Sequence, residues 1–507
     1  MARETDVSRV SEALAADRLG VPAVVFFVVS AATPLTVVAG VITLAYAITG
    51  SLGLPLAFIL IGLLLGLFGV GYVAMSRHVA NAGAFYAYVS RGLGRPAGVG
   101  TAWVALIAYN LLQVGLYGVI GFVANELLEW WFGVLVPWWL IALAAWAIVG
   151  LLGLQQVDIN GRVLAVLLCL EVAVIVVFAG ASLANPHQGT VSFTTLDPSN
   201  TFTAGIGAIL VLGVLGFVGF EAATVFSEES KDPRRTVPVA MYVAIALIAL
   251  LYALGAWAMS VAVGPENIAA LAGELEVALI FVLAEQHLGA FAANIGWVLF
   301  LTSLLAAMIA FHNITARYMF SLGREQVLPA AFGRTSYRTG SPKVASLAQT
   351  GIGLAVIAIY AFGGFDPLVQ LFFWGGASGG LGVLLLVTVT SLAVLGFFAR
   401  QPAEPDLWRH VVAPVAATVG LLSVVYLALV HFDTLLGVAA DHPLRWAVPA
   451  IYLVVALLGT AWGVVLRRHR PEVYATIGHG AKSAAGEVRV SAPGTAQAEL
   501  VDDEVSR

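Results

Sequence analysis

The chain has 507 residues, of which 60% are hydrophobic and only 10% charged, and its mean hydropathy is +0.95. A soluble domain carries roughly 25% charged residues, so a water-soluble globular protein is excluded and no nucleic-acid partner is expected. The net charge of −5 says less than the placement of the charges, and the single Cys169, inside an apolar run, leaves no intrachain disulfide framework.

Residues 1–20 are polar and of mixed charge. The apolar run that follows is too long for a signal-peptide core and shows no small-residue cleavage site, so it reads as a retained first span. Apolar runs long enough to cross a bilayer as helices then recur along the chain. They predict twelve spans, at 22–48, 55–75, 98–125, 138–156, 162–184, 202–227, 237–263, 288–311, 344–362, 368–398, 410–431 and 446–466.

Span 1 contains FVVSAATPLTVVAG, residues 27–40. Pro34 removes a backbone donor and clashes with the preceding turn, and hydrocarbon offers no water to satisfy the freed groups. This stretch must be shielded by protein or line a cavity. In span 2, GLLLG (62–66) reads as a close-packing motif. Trp130, Trp131, Trp138 and Trp139 flank the loop between spans 3 and 4 as interfacial anchors.

Span 5 carries Glu171 in its middle. An intramembrane carboxyl group is costly and marks a functional candidate; the alternative is a permanently neutral acid with a packing role. Span 6 reads GIGAILVLGVLGFVGFEAATVF (205–226), with Gly205, Gly207, Gly213, Gly216 and Gly219 ahead of the ionisable Glu221. If the fold is two inverted five-helix repeats, spans 1 and 6 open the two halves, and paired interruptions of this kind point to a midplane binding site. One broken end offers N–H groups to an anion and the other offers carbonyls to a cation, which together suit a zwitterion.

Further along, Glu228 and Glu229 precede Lys231, Arg234 and Arg235 and read as a gate or ion-pair network. VALIFVLA (277–284) is too short to span and is expected to lie externally over an entrance. Thr302 and Ser303 of span 8 offer hydroxyls to a sodium ion, although such hydroxyls usually bond their own backbone. Tyr109, Asn110 and Gln113 of span 3, and Phe372, Phe373 and Trp374 of span 10, are candidate site linings or packing residues. Beyond Pro471 the chain turns to Gly, Ala, Ser and Glu without periodicity and reads as a disordered tail.

Alternating the spans places all but one of the 24 Lys and Arg residues on the side of the N-terminus, Arg445 being the exception. The excess of basic residues marks the cytoplasmic side, so both termini are expected in the cytoplasm of a cell that carries the protein in its plasma membrane.

Three stretches carry a family likeness. GFEAATVFSEESKDPRRTVPVA (219–240) closely resembles the end of span 6 in the amino acid–polyamine–organocation permeases. HVANAGAFYAYVSRGLGRPAGVGTAW (78–103) resembles their segment leading into span 3, and NITARYMFSLGREQVLP (313–329) their segment after span 8. The resemblance covers about residues 20 to 466. It implies an all-α polytopic membrane protein with the leucine-transporter-type fold. Its parts would be a first repeat over 21–199, a second over 200–400, two further spans over 401–470, and a tail over 471–507.

The resemblance also implies a transporter for a small amino acid or related amine, without a cofactor. The backbone at the two breaks would hold the substrate, at Ala31, Ala32, Thr33 and Pro34 and at Phe217, Val218, Gly219 and Phe220. Many relatives carry Gly-Ser-Gly-Ile where this chain has Ala-Ala-Thr-Pro, so Thr33 and Thr36 are expected to complete the carboxylate site, and a polyamine or ethanolamine ligand stays open. In proton-coupled relatives this part of span 5 can carry a lysine in place of a sodium ion. Glu171 falls there. The expected coupling or gating residues are Glu171, Glu221, Thr302 and Ser303, with Glu221 either sensing a cationic substrate group or, by preference, tying the unwound segment to neighbouring helices; a proton is the expected coupling ion and sodium the alternative.

Other classes find less support. GASGG (376–380) matches a nucleophile-elbow pattern but follows no predicted strand. There is no metal-ligand spacing and no phosphate-binding Gly-Lys-Ser/Thr loop. A non-transporting sensor or an intramembrane enzyme using Ser378 or Glu171 remains the alternative of a different class.

Overall fold

Prolines and glycines punctuate the chain as their backbone chemistry dictates. Pro22, Pro55, Pro96, Pro233 and Pro367 each stand in the first turn of a helix, where the missing N–H breaks no bond. Gly50 and Gly133 end helices in the left-handed region, at φ 59° and 66°, which glycine enters without a Cβ penalty. The computed structural model describes residues 10–11, 14, 17–79, 81–202, 206–336, 339–400 and 406–480. Gly205, part of the polar N-terminus and residues 481–507 of the expected tail lie outside the described residues.

Ten helices among these residues are long and apolar enough to cross a membrane, from Val21–Thr49 to Leu444–His469. The other two expected spans take different forms. Span 4 is a 16-residue apolar helix, Trp138–Gly153. Span 6 is a helix of 11 residues, Ile206–Gly216, followed by 3-10 turns at Phe220–Thr224 and Ser227–Glu229. Several helices outrun their apolar cores: Arg95–Phe132 has 38 residues and Ala290–Arg324 has 35.

Helix Arg95–Phe132 packs against Leu444–His469, Trp374–Phe398 and Ala290–Arg324. The first half of span 1, Val21–Ala31, is enclosed by Pro233–Val263, Val157–Ala184 and Ala290–Arg324. Outward faces carry exposed Leu63, Leu151, Val419 and Leu457, as expected of surfaces solvated by lipid. Most of the segment expected to lie externally, 277–284, falls in the helix Leu279–Leu288, which follows a second short helix, Ile268–Leu275.

The described residues nearest the two ends of the chain gather on one face of the bundle. A two-stranded ribbon pairs Val10–Ser11 with Thr335–Ser336, and Leu19 bridges to Ser230. Residues 471–480, expected in the disordered tail, are ordered: Pro471–Thr476 is helical, and the N–H groups of Gly478 and Gly480 both donate to Glu325 at 2.7 Å. The same carboxyl accepts from Asn81 Nδ2 at 2.9 Å and from the Tyr86 hydroxyl. A buried acid with four donors explains why this unperiodic stretch is fixed.

The acidic pair after span 6 also has partners other than its sequence neighbours. Glu229 pairs with Arg317 and Glu228 with Arg324, both from span 8 rather than from Lys231, Arg234 or Arg235. Glu229 and Arg317 are each 1% exposed, and a charge this deep requires its counter-charge.

Candidate functional site

The break in span 1 falls at Thr33. Helix Val21–Ala31 ends there and a new helical segment starts at Pro34. Thr33 has φ 47° and ψ 63°, a left-handed conformation that a β-branched residue seldom adopts and that costs about 1–3 kcal/mol. The second break lies at Gly219, with φ 113°. The two breaks touch: a Cβ on Gly219 would stand 2.7 Å from Ala31 Cβ, a separation no real side chain tolerates.

Two buried glutamates cap these breaks. Glu171, 1% exposed, accepts from the Leu35 N–H at the start of the second half of span 1 and from Ser303 Oγ at 2.7 Å. Thr36 Oγ1 lies 3.4 Å from the same Ser303 hydroxyl. The second carboxyl oxygen, Oε2, is buried without a hydrogen-bond partner among the described residues. Glu221, fully buried, accepts from the Tyr109 hydroxyl at 2.6 Å and from the Gly219 N–H at 3.0 Å. Donors that the broken helices would offer to a ligand are thus partly occupied by the protein's own carboxyl groups, because a freed N–H in an apolar interior must find an acceptor.

The carbonyl ends share one cap. The Tyr252 hydroxyl lies 2.7 Å from the carbonyl oxygen of Ala32 and 2.9 Å from that of Gly216. One side chain from the helix after span 6 therefore ties both breaks together. Reading the sequence did not find it: Tyr252 is an ordinary aromatic in an apolar run, and its partners lie 220 and 36 residues away.

A cavity of about 360 Å³ opens above the breaks. Ala31, Ala32, Thr33, Thr36 and Val218 line it, together with Phe372 and Phe373. It reaches the surface at the exposed Gly273 and Glu276, in and just after the short helix Ile268–Leu275. Several expected site residues take other places. Phe217 packs against Phe58 and Tyr252, and Phe220 meets Phe68 edge to face. Pro34 starts the second half-helix. Thr302 donates to Leu299 O of its own helix at 2.9 Å, while Ser303 joins Glu171. In span 3, Asn110 bonds Leu106 O and Gln113 reaches Tyr117.

On the terminal side the path below the breaks is closed. Phe27 stacks on Phe226 with centroids 4.4 Å apart, and Arg317 lies over Phe226 while it pairs with Glu229. No group of three or more His, Cys, Asp or Glu suited to a metal occurs among the described residues. Ser378 sits in the helix Trp374–Phe398, so the strand-to-helix elbow that its motif needs is not formed.

Comparison with known proteins adds lineage to this geometry. The model of the family described as amino acid permease matches residues 23–473. A cationic amino acid transporter 7, chloroplastic, of Arabidopsis thaliana is 29% identical over 211 residues, which is 40% of this chain but only 34% of the relative's length. The branched-chain amino acid permease BcaP of Lactococcus lactis is 22% identical over 337 residues, 63% of this chain and 70% of the relative. The low-affinity putrescine importer PlaP of Escherichia coli K12 is 23% identical over 391 residues, 72% of this chain and 79% of the relative.

Proposed function

The chain belongs to the amino acid permease family, and on that premise we propose that it is a secondary active transporter importing a small amino acid or related amine with a proton. Its two breaks form the substrate site, in twelve spans arranged as two inverted repeats of five plus two. Both termini lie in the cytoplasm, so the cavity faces outward and the closed side faces inward. The family is one of permeases, and the chain is read as a transporter rather than an enzyme.

The observation that carries this reading is the contact between Glu171 and the Leu35 N–H. It supports the reading because an ionisable group then touches the break that, in this mechanism, acts as the hinge. Ionised, Glu171 holds the start of the second half-helix and sets a negative charge beside the break. Protonated, it removes that charge, and a substrate carboxylate approaches Thr33 and Thr36 without like-charge repulsion. The half-helix start also favours an anion through its own dipole. Proton and substrate then load together, the cavity closes, and the pairs on the cytoplasmic side open.

The test is uptake of labelled amino acids and amines into proteoliposomes, with an inward proton gradient, an inward sodium gradient, or neither. Wild type is expected to respond to the proton gradient, and Glu171→Gln to lose that response while still exchanging substrate across the membrane. Stimulation by sodium alone would replace the proton in this mechanism. Uptake indifferent to both gradients would remove the coupling role of Glu171.

A further inference from the structure

We propose that the cavity above the breaks takes a zwitterionic amino acid with a large, uncharged, apolar side chain, and that Gly376 provides the space for that side chain. This rests on the transport reading above and narrows it.

The first reason is the absence of a counter-charge. Among the described lining residues the polar side chains are Thr33 and Thr36 at the floor and Glu276 at the mouth. Glu276 is exposed, so its charge stands at the mouth and not within the cavity. Neither Glu171 nor Glu221 lines the cavity. Both oxygens of Glu221 already accept, from Tyr109 and Gly219, and Glu171 is engaged with Leu35 and Ser303. Below the mouth, the side chain of a bound arginine or the far ammonium of a diamine would leave water with no carboxylate among the described lining residues beside it. Burying an unpaired charge is far more costly than burying apolar surface.

The second reason is the character of the walls. Val119, Leu212, Phe300, Phe372 and Phe373 face the same space from spans 3, 6, 8 and 10. Such a surface rewards an apolar ligand in proportion to the area it covers. The floor, with its hydroxyls and half-helix start, is where the charged end of an amino acid finds partners, so the apolar end points up between these walls.

The third reason is Gly376 itself. It lines the cavity, and apart from its chain neighbours and its own helix backbone no heavy atom lies within 4 Å of where its Cβ would stand. Of the span 10 residues that line the cavity, Leu368, Phe372 and Phe373 are large, whereas Gly376 leaves its position open. A Cβ added here would meet no neighbouring side chain, at a position that lines the cavity.

The experiment is proteoliposome uptake of leucine, phenylalanine, alanine, arginine and putrescine by wild type, Gly376→Ala and Gly376→Leu. Thermal unfolding of each purified variant checks that it is folded. Wild type is expected to favour leucine or phenylalanine over arginine and putrescine by at least about tenfold. Gly376→Leu is expected to lose leucine and phenylalanine uptake by about tenfold or more while alanine uptake persists, with Gly376→Ala in between. Preference for arginine or putrescine would overturn the inference and leave the transport reading standing. An unchanged preference in a folded Gly376→Leu would overturn the role of Gly376. No uptake of any compound by folded wild type would remove the transport reading, and this inference with it.

Discussion

At the scale of single residues, the two breaks are held by side chains that the sequence marks very unequally. Glu171 and Glu221 stand out in apolar runs and were legible as candidates; the backbone N–H that each carboxyl reaches was not, because those partners are set by the fold. Glu221 is locked between Tyr109 and Gly219, which makes it a brace. Tyr252 gave no signal at all. Removing its hydroxyl strips the shared cap from Ala32 O and Gly216 O. Tyr252→Phe should therefore lower stability by about 1–3 kcal/mol, read as a fall in the unfolding temperature of the purified protein. Gly219 was legible as a break glycine, but its contact with Ala31 was not. Its positive φ and the 2.7 Å approach mean that Gly219→Ala should cost more than about 1 kcal/mol and abolish uptake. A variant as stable and active as wild type would mean that the breaks do not need to touch.

At the scale of elements, hydropathy placed the apolar centres of the helices well and their ends poorly. Span 8 was expected to stop near residue 311, where polar residues begin, yet its helix continues to Arg324. It continues because Arg317 and Arg324 are neutralised by Glu229 and Glu228 from the turn after span 6, a pairing no local pattern reveals. Span 6 could be read as interrupted from its glycines, but not as an 11-residue helix followed by 3-10 turns. Arg317→Met leaves Glu229 buried without its partner and should cost about 3–5 kcal/mol. The double variant with Glu229→Met should recover much of that loss, and a double variant as unstable as the single would show that the pair itself matters little. Residues 471–480 make a second such element, strapped to Glu325 and to Arg95, which bonds Ala475 O and lies over the Tyr474 ring. Deleting the chain after Arg470 and substituting Glu325→Ala should each lower the unfolding temperature, and together by less than the sum, because both break the same contact.

At the scale of the whole molecule, one face is open and the other shut. The cavity reaches the surface past Gly273 and Glu276, while the N-terminal segment, the turn after span 6, span 8 and the strap are knitted together around the buried pairs on the terminal face. Alternating access requires that this closure open as the cavity collapses, and Glu171 stands where span 1 would hinge, in contact with span 8 through Ser303. Its proton should therefore move with the substrate. The most direct measurement is substrate-driven acidification inside proteoliposomes carrying a trapped pH dye, for wild type beside Glu171→Gln, with substrate exchange recorded in parallel. The expected result is acidification on adding substrate to wild type, and none with Glu171→Gln even though it still exchanges substrate. Undiminished acidification with Glu171→Gln would contradict the claim and place the coupling proton elsewhere.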